Sequence, residues 1–198
     1  FYHNVHRSGK KMAIYSNANK MVHKGVMGDT DRFELAALFV WWYGYSVGAI
    51  RRLVTKPIPL INLPERVVRD AWLLRWFAKG GAQTQIDSIM KQRFLELIYK
   101  FQDYTPASVW ETMALIILFD QIPRNIFRGT AQAYSYDHIA LSYALQLMNK
   151  KGTYPFHIEC TLLITLCHSE KMEHQQLLKR RLQQQDPKHA KNYTVLYN

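Results

Sequence analysis

The stretch from Leu115 to Asp137 constrains this chain most. An apolar run, Leu115-Ile-Ile-Leu-Phe119, leads without a break into Asp120-Gln-Ile-Pro-Arg124-Asn-Ile-Phe-Arg128-Gly129. A run this apolar belongs in a core, and its helix carries ionic groups in with it. Buried charges are tolerated only when paired and hydrogen-bonded. The chain must therefore fold so that other elements surround this helix and satisfy its polar end. Asp120 with Arg124 or Arg128 is the natural pairing, Pro123 is expected to stop the helix, and Gly129 to permit the turn into a second helix near Asp137.

The rest of the chain reads as helices separated by proline and glycine. A helix is expected from Thr30 or Asp31, with Glu34 three residues after Asp31 in capping-box spacing, running through Tyr43. The uncharged segment Leu35–Ile50 is too short for a roughly 30 Å hydrocarbon core and has its aromatic residues mid-segment, so it reads as a core helix and membrane partners are not expected. Lys56-Pro-Ile-Pro59 and Pro64 mark an irregular connection. Helical patterning returns at Val67–Ala78 and, after Gly80-Gly81, at Gln85–Phe101, where Ile86, Ile89, Met90, Phe94, Leu97, Ile98 and Phe101 share a face. Further helices are expected at Ser108–Phe119, Tyr136–Asn149 and His157–Gln184, the last broken around His168-Ser169. No strand finds a partner. The expectation is an all-α fold of packed helical hairpins, as in bundles and tetratricopeptide-like domains, over residues 31–185.

Charge adds a second constraint. The 198 residues carry a net charge of +11, concentrated at the ends. Residues 1–28 hold Arg7, Lys10, Lys11, Lys20 and Lys24 with no acid, and residues 171–198 hold six cations, Lys179, Arg180 and Arg181 among them, against Glu173 and Asp186. Residues 1–30 lack hydrophobic periodicity and read as an extended basic arm, and 186–198 as a short tail. Such cations attract phosphate backbones or anionic lipid by counterion release, or simply keep the chain soluble. The acid-free, serine-containing arm resembles the mature edge of an organelle-import segment, which points to mitochondria before the cytoplasm. The chain opens on Phe1, which leaves processing and truncation both open. Two cysteines, Cys160 and Cys167, are too few for a disulfide framework and suit a reducing compartment. With His174 they recur every seven residues, but that spacing rises about 10.5 Å on a helix, too far for one zinc ion. No metal or cofactor is expected.

The polar block and three others resemble the family known as domain of unknown function 924. Its Leu-rich helix followed by Asp-Gln-Phe-Pro-Arg-Asn and Phe-Arg-Gly-Thr is matched by Asp120–Asn125, with Ile122 in place of Phe, and by Phe127–Thr130. Phe39-Val-Trp-Trp-Tyr-Gly44 is similar to its opening element. Trp76-Phe77, Ile86-Asp87 and Arg93-Phe94 are similar to its Trp-Phe and Phe-Asp…Arg-Phe signatures, and His168-Ser169-Glu170 with Gln175 to its His-Ser-Glu…Gln motif. The resemblance spans residues 36 to 184 and implies an all-helical, tetratricopeptide-like bundle without an established activity. Thr165 stands where the family usually has proline, the segment between Gly44 and Trp76 is longer than usual, and the N-terminal arm lies outside the domain.

The matched polar residues Asp120, Gln121, Arg124, Asn125, Arg128, Asp137, His168, Ser169, Glu170 and Gln175 either converge on a pocket or clamp helix ends. In a pocket, Arg124 and Arg128 would bind a carboxylate or phosphate while His168 and Glu170, with Asp120, supply acid–base chemistry. As clamps, every charge would be internally paired. The absence of a glycine-rich phosphate cradle or nucleophile elbow favours clamps. The leading expectation is thus a noncatalytic helical scaffold, a basic accessory subunit bound to other protein subunits in a mitochondrial ribonucleoprotein such as the mitochondrial ribosome. Arg7, Lys10, Lys11, Lys20, Lys24, Lys179, Arg180 and Arg181 would then contact RNA. The alternatives are an enzyme or ligand-binding protein acting on a small anionic metabolite, and a subunit of a membrane complex.

Overall fold

A computed structural model describes residues 27–56, 60, 62–76, 78–150 and 153–184. Among these residues the fold is helical throughout, with no strand. The N-terminal arm, with Arg7, Lys10, Lys11, Lys20 and Lys24, and the tail at 186–198 lie outside the described residues.

The first helix, α1 (Met27–Tyr43), begins upstream of the expected start. Asp31 and Glu34 are therefore interior residues. They do not form a capping box: both carboxylates reach Lys100 Nζ, at 2.8 and 2.5 Å. Gly44 ends α1 with φ +76°, a left-handed conformation that favours glycine. A Cβ there would also meet Val67 Cγ1 at 3.3 Å. The chain turns into α2 (Gly48–Thr55), so Leu35–Ile50 is divided between two helices, and no described helix is long and apolar enough to cross a membrane.

The expected helix over Val67–Ala78 is α3 (Glu65–Ala71) followed by a wide π turn, Trp72–Trp76. Trp76 stacks on Trp42 with ring centres 5.3 Å apart, and Arg75 lies over Trp41. α4 (Gly81–Lys100) starts earlier than its periodicity suggested, and Met90, Phe94, Leu97 and Ile98 on its inner face are buried.

The apolar helix lies at the centre. In α5 (Val109–Ile116) and the π turn that extends it (Ile117–Gln121), every residue from Trp110 to Asp120 is buried. Ser108 caps α5 by accepting the Glu111 N–H at 3.3 Å, and the buried Glu111 carboxylate accepts from Ala107 N and Arg32 Nε. Pro123 does not end the helix as expected. It sits in the first turn of α6 (Ile122–Ile126), where a missing N–H costs little. The adjustment occurs one turn earlier, where Ile122 N bonds back five residues to Ile117 O. Opening the turn this way accommodates a proline that cannot donate to Phe119.

After Gly129 and a short 3-10 turn (Ala131–Tyr134) come α7 (Asp137–Met148), α8 (Phe156–Cys167) and α9 (Met172–Gln183). α5 packs between α1 and α7, α8 joins α7 to α9, and α4 covers α6. The break at His168-Ser169 puts Cys160 and Cys167 on one helix and His174 on the next. Among the described residues no group of three or more His, Cys, Asp or Glu is placed to hold a metal ion.

Candidate functional site

The site grows from the π turn. By widening the last turn of the central helix it sets Asp120, itself fully buried, toward the end of α8. His168 is the C-cap of α8, and the Asp120 carboxylate meets it: His168 Nδ1 lies 2.6 Å from Asp120 Oδ1. Arg124, one helical turn beyond Asp120, brings Nε to 3.5 Å of the same oxygen, and the Gln121 side-chain amide donates to Oδ2. Burial alone pushes the Asp120 carboxyl up. His168, Arg124 and Gln121 together outweigh that and hold it below the ordinary carboxylate value. Asp120 is therefore ionised and can only accept, so Nδ1 of His168 carries the shared proton. Nε2 has no partner among the described residues, on a side chain 27% exposed.

Arg124 is engaged on several sides. Its Nη2 donates to Asp137 Oδ2 at 2.6 Å, and its guanidinium lies 4.9 Å from the ring centre of Tyr134. Arg124 Nε and Asp137 Oδ1 are buried and have no hydrogen-bond partner among the described residues. The Asp137 carboxyl is pushed up, chiefly by burial, which the opposing effect of Arg124 does not cancel. The two carboxyls flanking one guanidinium thus lean in opposite directions.

Arg128 goes elsewhere than expected. It does not pair with Asp120, Asp137 or Glu170: its Nε and Nη2 take both oxygens of Asp87, at 2.9 and 3.2 Å, and Nη2 also donates to Asn125 Oδ1. The Gln83 side-chain amide joins the same group through Asp87 and Asn125, while Asn125 Nδ2 donates to Gln121 O. The Ile86-Asp87 block and the Phe127–Thr130 block are thereby two halves of one contact between α4 and the end of α6. Asp87 stands out in the sequence only through its family-matched block, because nothing local to either residue signals its pairing with Arg128.

The late motif divides. His168 joins Asp120, whereas Glu170 is exposed and makes no ion pair or hydrogen bond among the described residues. The expected His168–Glu170 acid–base pair is thus replaced by His168–Asp120. Ser169 Oγ bonds His174 Nδ1 at 2.7 Å and accepts from Lys171 N. The Gln175 amide donates to Leu166 O in the last turn of α8, at 3.3 Å, and to Ser169 O just beyond the helix. Ser169 and Gln175 therefore fasten the α8–α9 turn. Thr165 is buried inside an unbroken α8 and donates to Thr161 O at 3.0 Å.

The candidate RNA-contacting residues of α9 also divide. Lys179 and Arg180 are exposed, but Arg181 turns inward, with Nη2 2.5 Å from Met148 O and Nη1 3.8 Å from Glu159 Oε1.

These features define the class of protein as an all-α domain whose central helix ends in a buried aspartate clustered with a half-buried histidine and arginine. The chain belongs to the family described as bacterial protein of unknown function (DUF924), whose model matches residues 65–196. The Phe39–Gly44 block lies outside that match. No curated relative and no solved structure matches the chain.

Proposed function

We propose that this protein is a noncatalytic helical scaffold, a basic accessory subunit of a larger ribonucleoprotein assembly in mitochondria, such as the mitochondrial ribosome. The observation that carries this reading is the engagement of the family arginines. Arg124 is held by Asp120 and Asp137, and Arg128 by Asp87, so each guanidinium already has carboxylate partners with which an anionic metabolite would have to compete. Arg51, Arg52, Lys150, Lys171, Lys179 and Arg180 meanwhile stand exposed, and the arm and tail add cations that an isolated neutral domain would lack. The test is the affinity of the full chain for structured RNA as a function of salt. A steep fall of log affinity with log salt is expected. Absent binding at low salt, or a flat response, removes the RNA component of the proposal. Import is checked by imaging the tagged full-length product; a cytoplasmic signal rejects the mitochondrial assignment.

A second reading rests on a different observation, the half-buried His168 fixed through Nδ1 by a buried carboxylate with Nε2 left over. That arrangement orients an imidazole for proton transfer or for hydrogen bonding to a small molecule. Under this reading His168→Gln abolishes ligand binding while the thermal midpoint is unchanged. Under the scaffold reading the midpoint drops and RNA affinity of the folded protein does not change.

A further inference from the structure

The outer surface of α9 faces away from the rest of the described domain. Its inner side is occupied: His174 and Leu178 are buried, and Arg181 is fastened to Met148 O at the end of α7 and lies beside Glu159. These interactions fix the rotation of the helix. They leave Gln176, Lys179, Arg180 and Gln183 exposed, at spacings of three and four residues that place them along one face. Over these two turns, about 10 Å of helix, no acid appears; Glu173 lies a turn nearer the N-terminus. Arg181 also ties α9 to the end of α7; just past that end the exposed Lys150 lines a cavity of about 310 Å³ together with Thr105, Tyr143 and Gln146.

We infer that this outward face of α9, Lys179 and Arg180 flanked by Gln176 and Gln183, is where the folded domain takes up an RNA phosphate backbone; the inference rests on the ribonucleoprotein reading above. The chemistry favours a polyanion over a protein surface. Protein interfaces are anchored by buried aromatic or aliphatic side chains at their centre. Here the one large exposed apolar residue of the helix, Met172, is at its far end. Two cations on a rigid face, with neutral amide donors on either side, suit phosphate and sugar oxygens and carry no sequence preference of their own. Arg181 acts as a positioning residue, holding the face outward without touching the backbone.

The experiment measures binding of the full chain to a short duplex RNA over a range of salt, for the native protein, K179Q/R180Q and R51Q/R52Q. The last pair removes the same charge from another exposed site. The α9 pair is expected to weaken binding about tenfold or more at moderate salt and to make the log–log slope shallower by about 2, one for each phosphate that is no longer neutralised. The R51Q/R52Q pair is expected to have the smaller effect. If native protein binds RNA but the α9 pair costs no more than the control pair, the inference is overturned and the ribonucleoprotein reading stands. If native protein binds no RNA, the reading falls and the inference with it. If polyglutamate of equal charge competes as well as RNA, the commitment to nucleic acid is overturned.

Discussion

Asp120 has no exposed surface, and its charge is compensated by His168, Arg124 and Gln121 within hydrogen-bonding or ion-pair distance. Removing that charge leaves a half-buried guanidinium with one carboxylate fewer, so Asp120→Asn is expected to destabilise the fold by about 3 kcal/mol in a urea titration. Arg128 is about half exposed on its side chain, and Arg128→Gln is expected to cost under about 1 kcal/mol by the same measurement. Equal effects of the two would show that burial does not set their weights. His157 gives a pH signature. Its imidazole is buried, accepts or donates at Nε2 to Tyr45 OH, and is pushed down from 6.5 to about 4 by burial. The unfolded chain therefore binds this proton below about 6.5 and the folded chain only below about 4. Stability should fall by about 3 kcal/mol as pH drops through that window. His157→Gln should remove that fall, whereas Asp120, held below its ordinary value, contributes stability that disappears only at lower pH. At this scale the sequence foretold that Asp120 needs a cation and that Arg124, four residues on, could supply it. It could not foretell Arg128 with Asp87 or Arg32 with Glu111, because those partners are 41 and 79 residues apart and are brought together only by packing.

The elements themselves were legible where apolar periodicity is strong and less so where backbone chemistry intervenes. Recurrence of apolar positions found α4, α7 and α8, and the polar His168-Ser169 pair marked the break before α9. Two terminal signals misled. Asp31 and Glu34 have capping-box spacing but bind Lys100, while Ser108 and Glu111, with the same spacing, form the working cap of α5. Pro123 suggested an end but is absorbed by a π turn, an option that hydrophobic periodicity does not reveal. Glycines give a test at this scale. Gly44→Ala meets a positive φ and Val67 together and is expected to destabilise by about 1 to 2 kcal/mol. Gly81→Ala opens α4 in free space and is expected to be neutral or stabilising by about 0.5 kcal/mol. Thermal unfolding of both variants compares them; a Gly44→Ala protein as stable as the native one would mean that the α1–α2 turn is not held in the conformation described.

On the scale of the whole molecule, some acids among the described residues are drawn inward, while Asp70, Glu96, Asp103, Glu170 and Glu173 stay exposed along with many cations. Glu111, Asp120 and Glu159 are buried and Asp87 and Asp137 half-buried, each near a cation, whereas Lys179, Arg180, Lys150 and Arg51-Arg52 are exposed. Net charge was readable from composition, but its sorting between interior and surface needed the fold. Among the described residues exposed lysines and arginines outnumber exposed acids, which gives this part of the domain a cationic exterior that attracts polyanions. The claim that the domain serves as a basic subunit of a ribonucleoprotein is tested most directly by sedimenting a native lysate and following this chain through the gradient. The chain is expected to travel with a large particle and to shift to lighter fractions after ribonuclease treatment. Sedimentation as a free small protein, unchanged by ribonuclease, would contradict it.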